Sequence, residues 1–225
     1  MYTMKETASS EFALTLLVFL YLRIASRPQA ADIAADLKTT IDDVKTKAQT
    51  VEDKRIARRL TTAELTYLDE ELDAALSRYV KHLLALLPAG RQDPRYVQMF
   101  PVPPSEMTRG MASEGQSRML KNVLLVHDGD AELAAISAPA EVLRAALDAI
   151  NAGRAQRVLD YDAEQVAQNA LRASLTTARG VYNAAHPRLE LAFPGKKGLI
   201  RSFFWRDELK KDDPPEAEAE AEDKA

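Results

Sequence analysis

The stretch Thr61–Leu86, TTAELTYLDEELDAALSRYVKHLLAL, places Leu65, Leu68, Leu72, Leu76, Tyr79, Leu83 and Leu86 at steps of three and four. That spacing puts all seven on one face of a helix, with the acids Asp69, Glu70 and Glu71 on the polar face. Thr61 and Glu64 stand as a capping box, so the pattern predicts a helix starting here and ending at Pro88-Ala89-Gly90.

Upstream, Ile33, Leu37, Ile41, Val44, Ala48 and Val51 form a second stripe beginning near Gln29, after Pro28. From Leu37 its steps alternate four and three, the seam of a short antiparallel pairing; Arg55 takes the next seam position. Further upstream, Phe12–Leu22 (FALTLLVFLYL) is apolar and closed by Arg23, with Ser9 or Ser10 as N-cap. A spanning helix needs roughly 20 apolar residues, so a core helix is expected here, with a signal, an anchor or a membrane-surface helix as alternatives.

Downstream, residues 88–117 hold prolines at 88, 94, 101, 103 and 104 and read as an ordered crossover, Met99 and Phe100 packing on the core. Met119–Val126 is a short apolar run ended by the turn His127-Asp128-Gly129-Asp130. After Pro139, Val142, Leu143, Ala146, Leu147 and Ile150 define a helix closing at Asn151-Ala152-Gly153. Another starts at Asp160 or Asp162 and runs to Ala185, with Val166, Ala170, Leu171, Leu175, Ala178 and Tyr182 inside. Its small residues allow close helix approach. Only Arg157–Tyr161 and Arg188–Phe193 hint at strand.

An echo ties the ends of these stretches together. Asp93-Pro94-Arg95 through Phe100-Pro101 returns as His186-Pro187-Arg188 through Phe193-Pro194, which suggests one helical unit used twice. The expected fold is therefore all-α: an up-and-down bundle of about four main helices with short extra ones. It forms a single domain over residues 1–211, with related halves 8–101 and 117–205 joined by the proline-rich crossover. Residues 212–225 are an acidic Glu/Ala tail expected to be disordered or loosely helical.

Composition agrees. Alanine and leucine dominate, aromatics make up 6% and glycines number only 8, a bias toward helix. Cysteine is absent, which excludes disulfides and thiolate chemistry and fits a reducing cytoplasm. The tail's seven acids against Lys224 account for more than the net charge of −4, leaving the body slightly positive and unlike a dedicated nucleic-acid binder.

Sites for chemistry are scarce. His82, His127 and His186 have no glutamate three residues before them, and no His-Glu-x-x-His occurs, so no metal and no cofactor is implied. His186 is expected at a helix end, near the last carbonyls. No Gly-x-Ser-x-Gly elbow is present, and Pro194–Gly198 lacks the phosphate-loop frame and reads as a turn before a short helix. Asp69-Glu70-Glu71 is a solvated face, and Lys54–Arg59 a salt-bridged one beside Glu52, Asp53 and Glu64. No catalytic residue is assigned.

One segment stands out for contact with a protein partner or a membrane surface: Lys196, Lys197, Arg201, Phe203, Phe204, Trp205 and Arg206, followed by Lys210 and Lys211. Cations interleaved with three aromatics suit either partner, although Phe203 and Phe204 also suit the closing of a bundle end. The expected function is a non-enzymatic helical interaction or scaffold protein, bacterial and cytoplasmic, acting on a protein partner or itself. A membrane-associated protein using Phe12–Leu22 or Lys196–Lys211 is the alternative. A small-molecule site near Tyr67, Tyr79, Tyr161 and Tyr182 is the weaker one. The acidic tail is also expected to mask the basic segment.

Overall fold

A computed structural model of the chain describes residues 3–110 and 113–205. Among the described residues seven α-helices follow one another: α1 Ser10–Ile24, α2 Ala31–Leu86, α3 Pro94–Met99, α4 Pro104–Met107, α5 Glu114–Asp128, α6 Ser137–Ala192 and α7 Lys197–Phe203. Tight 3-10 turns occupy Pro28–Ala30 and Ala131–Ile136. Among the described residues there is no strand, and the fold is all-α. Arg157–Tyr161 and nearly all of Arg188–Phe193 are helical within α6. The acidic tail lies outside the described residues.

Four expected helix boundaries are absent: the start at Thr61, the end at Asn151-Ala152-Gly153, the start at Asp160 or Asp162 and the end at Ala185. α2 runs through Thr61 because nothing there breaks it: the stretch holds no glycine or proline, and the Thr61 hydroxyl turns back to the Ala57 carbonyl and across to the Asp160 carboxylate instead of capping. α6 likewise passes through Asn151-Ala152-Gly153 and reaches Ala192. Asp160 is engaged by Thr61 and Gln156, so its carboxylate is occupied sideways and caps nothing. Pro187, which lacks the N–H for the carbonyl four residues back, sits inside α6 rather than after it. α2 and α6 are each 56 residues long.

The chain forms two compact units. The first takes residues up to Glu52 and those from Val166 onward; the second is Asp53–Gln165. The halves 8–101 and 117–205 do not coincide with them, because α2 and α6 each contribute to both. In the first unit, Leu17, Leu20 and Ile24 of α1 meet the α2 seam of Leu37, Ile41 and Val44. The end of α6 (Ala178, Tyr182, Ala185, Leu189) closes the same core with Phe193, Ile200, Phe203 and Phe204. Asp32 and Asp36 reach Arg188 while Asp43 reaches Ser174, so one number rises as the other falls, an antiparallel pairing.

In the second unit, Leu65, Leu72, Leu76, Tyr79 and Leu83 of α2 join Leu120, Val123 and Leu124 of α5 and Leu143, Leu147 and Ile150 of α6. Met99 and Phe100 are buried there, as expected of an ordered crossover. The stripe ends on Leu87, 4% exposed, rather than Leu86, 36% exposed, because α2 stops at Leu86 and the chain turns inward. Two assignments to an inner face fail: Val142 is 44% and Val166 69% exposed, and Ala140 and Ala167 hold the neighbouring buried positions.

Gly153 explains why α6 tolerates a glycine in its middle. A Cβ there would lie 3.0 Å from Leu65 Cδ2 and 3.1 Å from Leu68 Cδ1, so the missing side chain lets α6 approach α2 closely. Gly153→Val is expected to cost about 1–3 kcal/mol by overpacking, read as a lowered midpoint in urea denaturation. Gly153→Ala should be closer to neutral, since its better helix propensity offsets the squeeze on flexible leucine ends.

Candidate docking groove

α1 is apolar nearly all the way round, so one buried face does not use up its hydrophobic surface. Leu16, Leu17, Leu20 and Ile24 are in the core, whereas Phe12 is 41% and Leu22 67% exposed on the opposite side. The C-terminal segment comes to that side. The turn at Pro194-Gly195, with Gly195 at φ +77°, leads into α7, which packs on α1. Left-handed φ is natural for glycine and strained for other residues.

Beyond α7 the three aromatics separate. Phe203 and Phe204 are 1% and 2% exposed, so they close the core and present nothing to a partner. Phe203 packs against Phe193, and Phe204 against Tyr182 and His186. Trp205 is half-buried and stands edge-on to Phe19, ring centroids 5.2 Å apart. Its buried Nε1 has no acceptor among the described residues. With Leu14, Thr15, Val18, Phe19 and Leu22 it lines a groove of about 400 Å³.

Cations stand over the aromatics of this end of the unit. The Arg23 guanidinium sits 5.1 Å from the centroid of the Phe19 ring, and that of Arg27 5.0 Å from Phe203. Guanidinium over an aromatic face is held by the ring quadrupole while keeping its charge available. Lys196, Lys197 and Arg201 are exposed on and just before α7. Arg206, Lys210 and Lys211 lie outside the described residues. The two segments singled out separately in the sequence, Phe12–Leu22 and Lys196–Trp205, thus meet in one place. The signal for this was a helix without a polar face, which needs a second cover. The position of Trp205 had no local signal.

The histidines and tyrosines fall elsewhere. His186 lies within α6, not at a helix end, because α6 continues past Pro187; its Nδ1 is 4.0 Å from Glu190. His82 is exposed. Tyr79 and Tyr182 are buried in the cores of different units, while Tyr67 and Tyr161 are exposed. Lys54–Arg59 is salt-bridged, but across to α6: Arg58 and Arg55 reach Glu164 at 2.6 and 3.7 Å. Among the described residues no group of three or more acids and histidines is arranged to hold a metal ion, and no helix is long and apolar enough to cross a membrane.

His127 lies in the last turn of α5 and is buried, its Nδ1 3.2 Å from the Tyr79 hydroxyl, which also lies 3.7 Å from Met99 Sδ. Burial pushes the Tyr79 phenol well above its ordinary range and lowers the imidazole pKa, against the opposing pull of Asp128. Burial thus favours the neutral form of both groups, which pack edge to face in the core of the second unit. No family model, curated protein or solved structure matches the chain.

The lowered imidazole pKa sets a pH dependence. Above the unfolded value of 6.5 both states are neutral at this position. As pH falls below it, the unfolded chain takes a proton that the folded one resists, so stability is lost downward from there. Asp32, Asp93 and Asp160, held below the ordinary 3.8 chiefly by hydrogen bonds from Arg188, Arg95 and Thr61 respectively, lose their contribution only in stronger acid. Melting temperature should fall between pH 7 and 5, and His127→Leu should flatten the profile within that window alone.

Proposed function

We propose that the protein is a non-enzymatic helical interaction protein whose docking surface is the groove between α1 and Trp205. The supporting observation is the placement of Trp205 against Phe19, which leaves an open apolar channel instead of a closed core. The occupant is an amphipathic helix of a protein partner with an acidic polar face. Its leucines or phenylalanines would enter beside Leu14, Val18 and Leu22, the helix-in-groove mode of recognition. Its acids would meet Arg23, Arg27 and the α7 cations, which favours encounter and orientation.

Membrane contact through the same segments is the competing reading, and the burial of Phe203 and Phe204 weakens it, because only Trp205 of the three aromatics stays near the surface. The scaffold role, the cytoplasmic setting and the absence of catalysis belong to the same proposal.

Trp205 is the only tryptophan, so its emission reports the groove directly. Titration with a synthetic amphipathic peptide, leucines on one face and glutamates on the other, should shift that emission to the blue. Leu22→Glu should abolish the shift and leave melting unchanged, since Leu22 is exposed. A shift with phosphatidylglycerol vesicles and none with the peptide would move the reading to a membrane surface. No response to either would remove the groove as a docking site.

A further inference from the structure

The second unit carries a different kind of cavity. Between α5, α6 and Arg58 of α2 lies a cleft of about 670 Å³ lined by Arg58, Glu114, Asn151, Arg154, Arg157 and Tyr161, with Ala155 and Val158 completing the wall. A volume of this size is typical of small-molecule sites. Three of those side chains are guanidinium groups and one is a carboxylate, so the cleft is positive.

The arginines are not equally occupied. Arg58 is committed to Glu164 at 2.6 Å. Arg154 makes one long hydrogen bond, 3.4 Å to the Ser117 hydroxyl, and neither it nor Arg157 has an ion-pair partner among the described residues. Ser117 in turn donates to Asn151 Oδ1 at 2.9 Å. That chain of bonds fixes both lining residues: Asn151 has its oxygen used and its amide hydrogens left to give, and Arg154 keeps most of its N–H groups. Acceptors in the cleft reduce to Glu114 and the Tyr161 hydroxyl. A donor-rich, cationic cleft selects an anion with several acceptor oxygens, and planar guanidinium pairs match phosphate bidentately.

The wall adds a second requirement. Val158 and Tyr161 are 60% and 51% exposed, one turn apart on α6, and present apolar surface beside the arginines. A ligand with a flat ring joined to its phosphate would cover that surface while the arginines take the charge, and ring-on-tyrosine stacking tolerates many ring types. From this combination we infer that the cleft is a binding site for a nucleoside monophosphate.

The test is isothermal titration calorimetry of the full chain with the monophosphates of adenosine, guanosine, cytidine and uridine. Adenosine and inorganic phosphate serve as the separated halves. At least one nucleotide should bind, with each half at least tenfold weaker. Arg157→Gln should weaken that nucleotide about tenfold, the scale of losing one charge-assisted contact, without moving the melting temperature, because Arg157 is exposed. Tyr161→Ala should weaken the nucleotide and leave inorganic phosphate unchanged. Absence of binding by all four nucleotides up to about 5 mM, where an affinity is too weak to matter, would overturn the inference. So would nucleotide binding that survives the Arg154→Gln, Arg157→Gln double change. The docking groove does not enter this test, since none of its lining residues is altered.

Discussion

The carboxylate of Glu164, only 5% exposed, is gripped by Arg58 and approached by Arg55, and the pairing of α2 with α6 in this stretch depends on it. Between Val51 and Leu65 on α2, and between Ile150 and Ala167 on α6, the only buried side chains are Thr61 and Glu164. The apolar residues of the same stretches, among them Leu60 and Leu159, face solvent. Polarity here is reversed: charge and hydroxyl inside, leucine outside. Hydrophobic burial therefore contributes little to the contact, which rests on a hydrogen-bonded ion pair and the Thr61–Asp160 bond. Such a pair gives register rather than net stability, because desolvating the charges offsets most of their attraction.

The sequence was most legible where burial decides the outcome. Leu65, Leu72, Leu76, Tyr79 and Leu83 of one stripe and Leu37, Ile41 and Val44 of the other are in the cores, because three- and four-residue steps leave no other way to hide those side chains. It was least legible at helix ends. A cap such as Thr61 is worth about 1 kcal/mol, and a contact across to Asp160 can outbid it, yet that contact joins residues 99 positions apart. The same reasoning covers Gly153, a break by local rules and a close-approach point in the fold. Of the candidate sites, the second apolar side of α1 was visible as composition. The arrival of Trp205 upon it, and the meeting of Arg58 with Arg154 and Arg157, depend on long-range register that no local pattern encodes.

The Pro-Arg-x4-Phe-Pro echo marks equivalent work done on different local frames. Arg95, beside Asp93, reaches Glu132 just ahead of α6; Arg188 reaches Asp32 and Asp36 at the start of α2. Phe100 and Phe193 each enter the core of their own unit. Pro94 opens the short helix α3, whereas Pro187 lies inside α6. The helices around them match in length: a 15-residue helix followed, past a tight turn, by a 56-residue helix occurs twice in order. In both places an arginine ties the late part of one half to the acids where a long helix begins.

Because the first unit draws on both ends of the chain while the second is one continuous segment, the two cannot mature together on the ribosome. Asp53–Gln165 is complete, as a length of chain, before any of Val166–Trp205 has been made. Of the described helices α1 is made before the others, and although α2 can cover part of it early, the share of its FALTLLVFLYL surface that α6 and α7 cover stays open until they arrive. Apolar segments left waiting in this way are the ones that aggregate or are held by chaperones. Completion of the first unit thus waits on α7, which must close over α1 across most of the described chain.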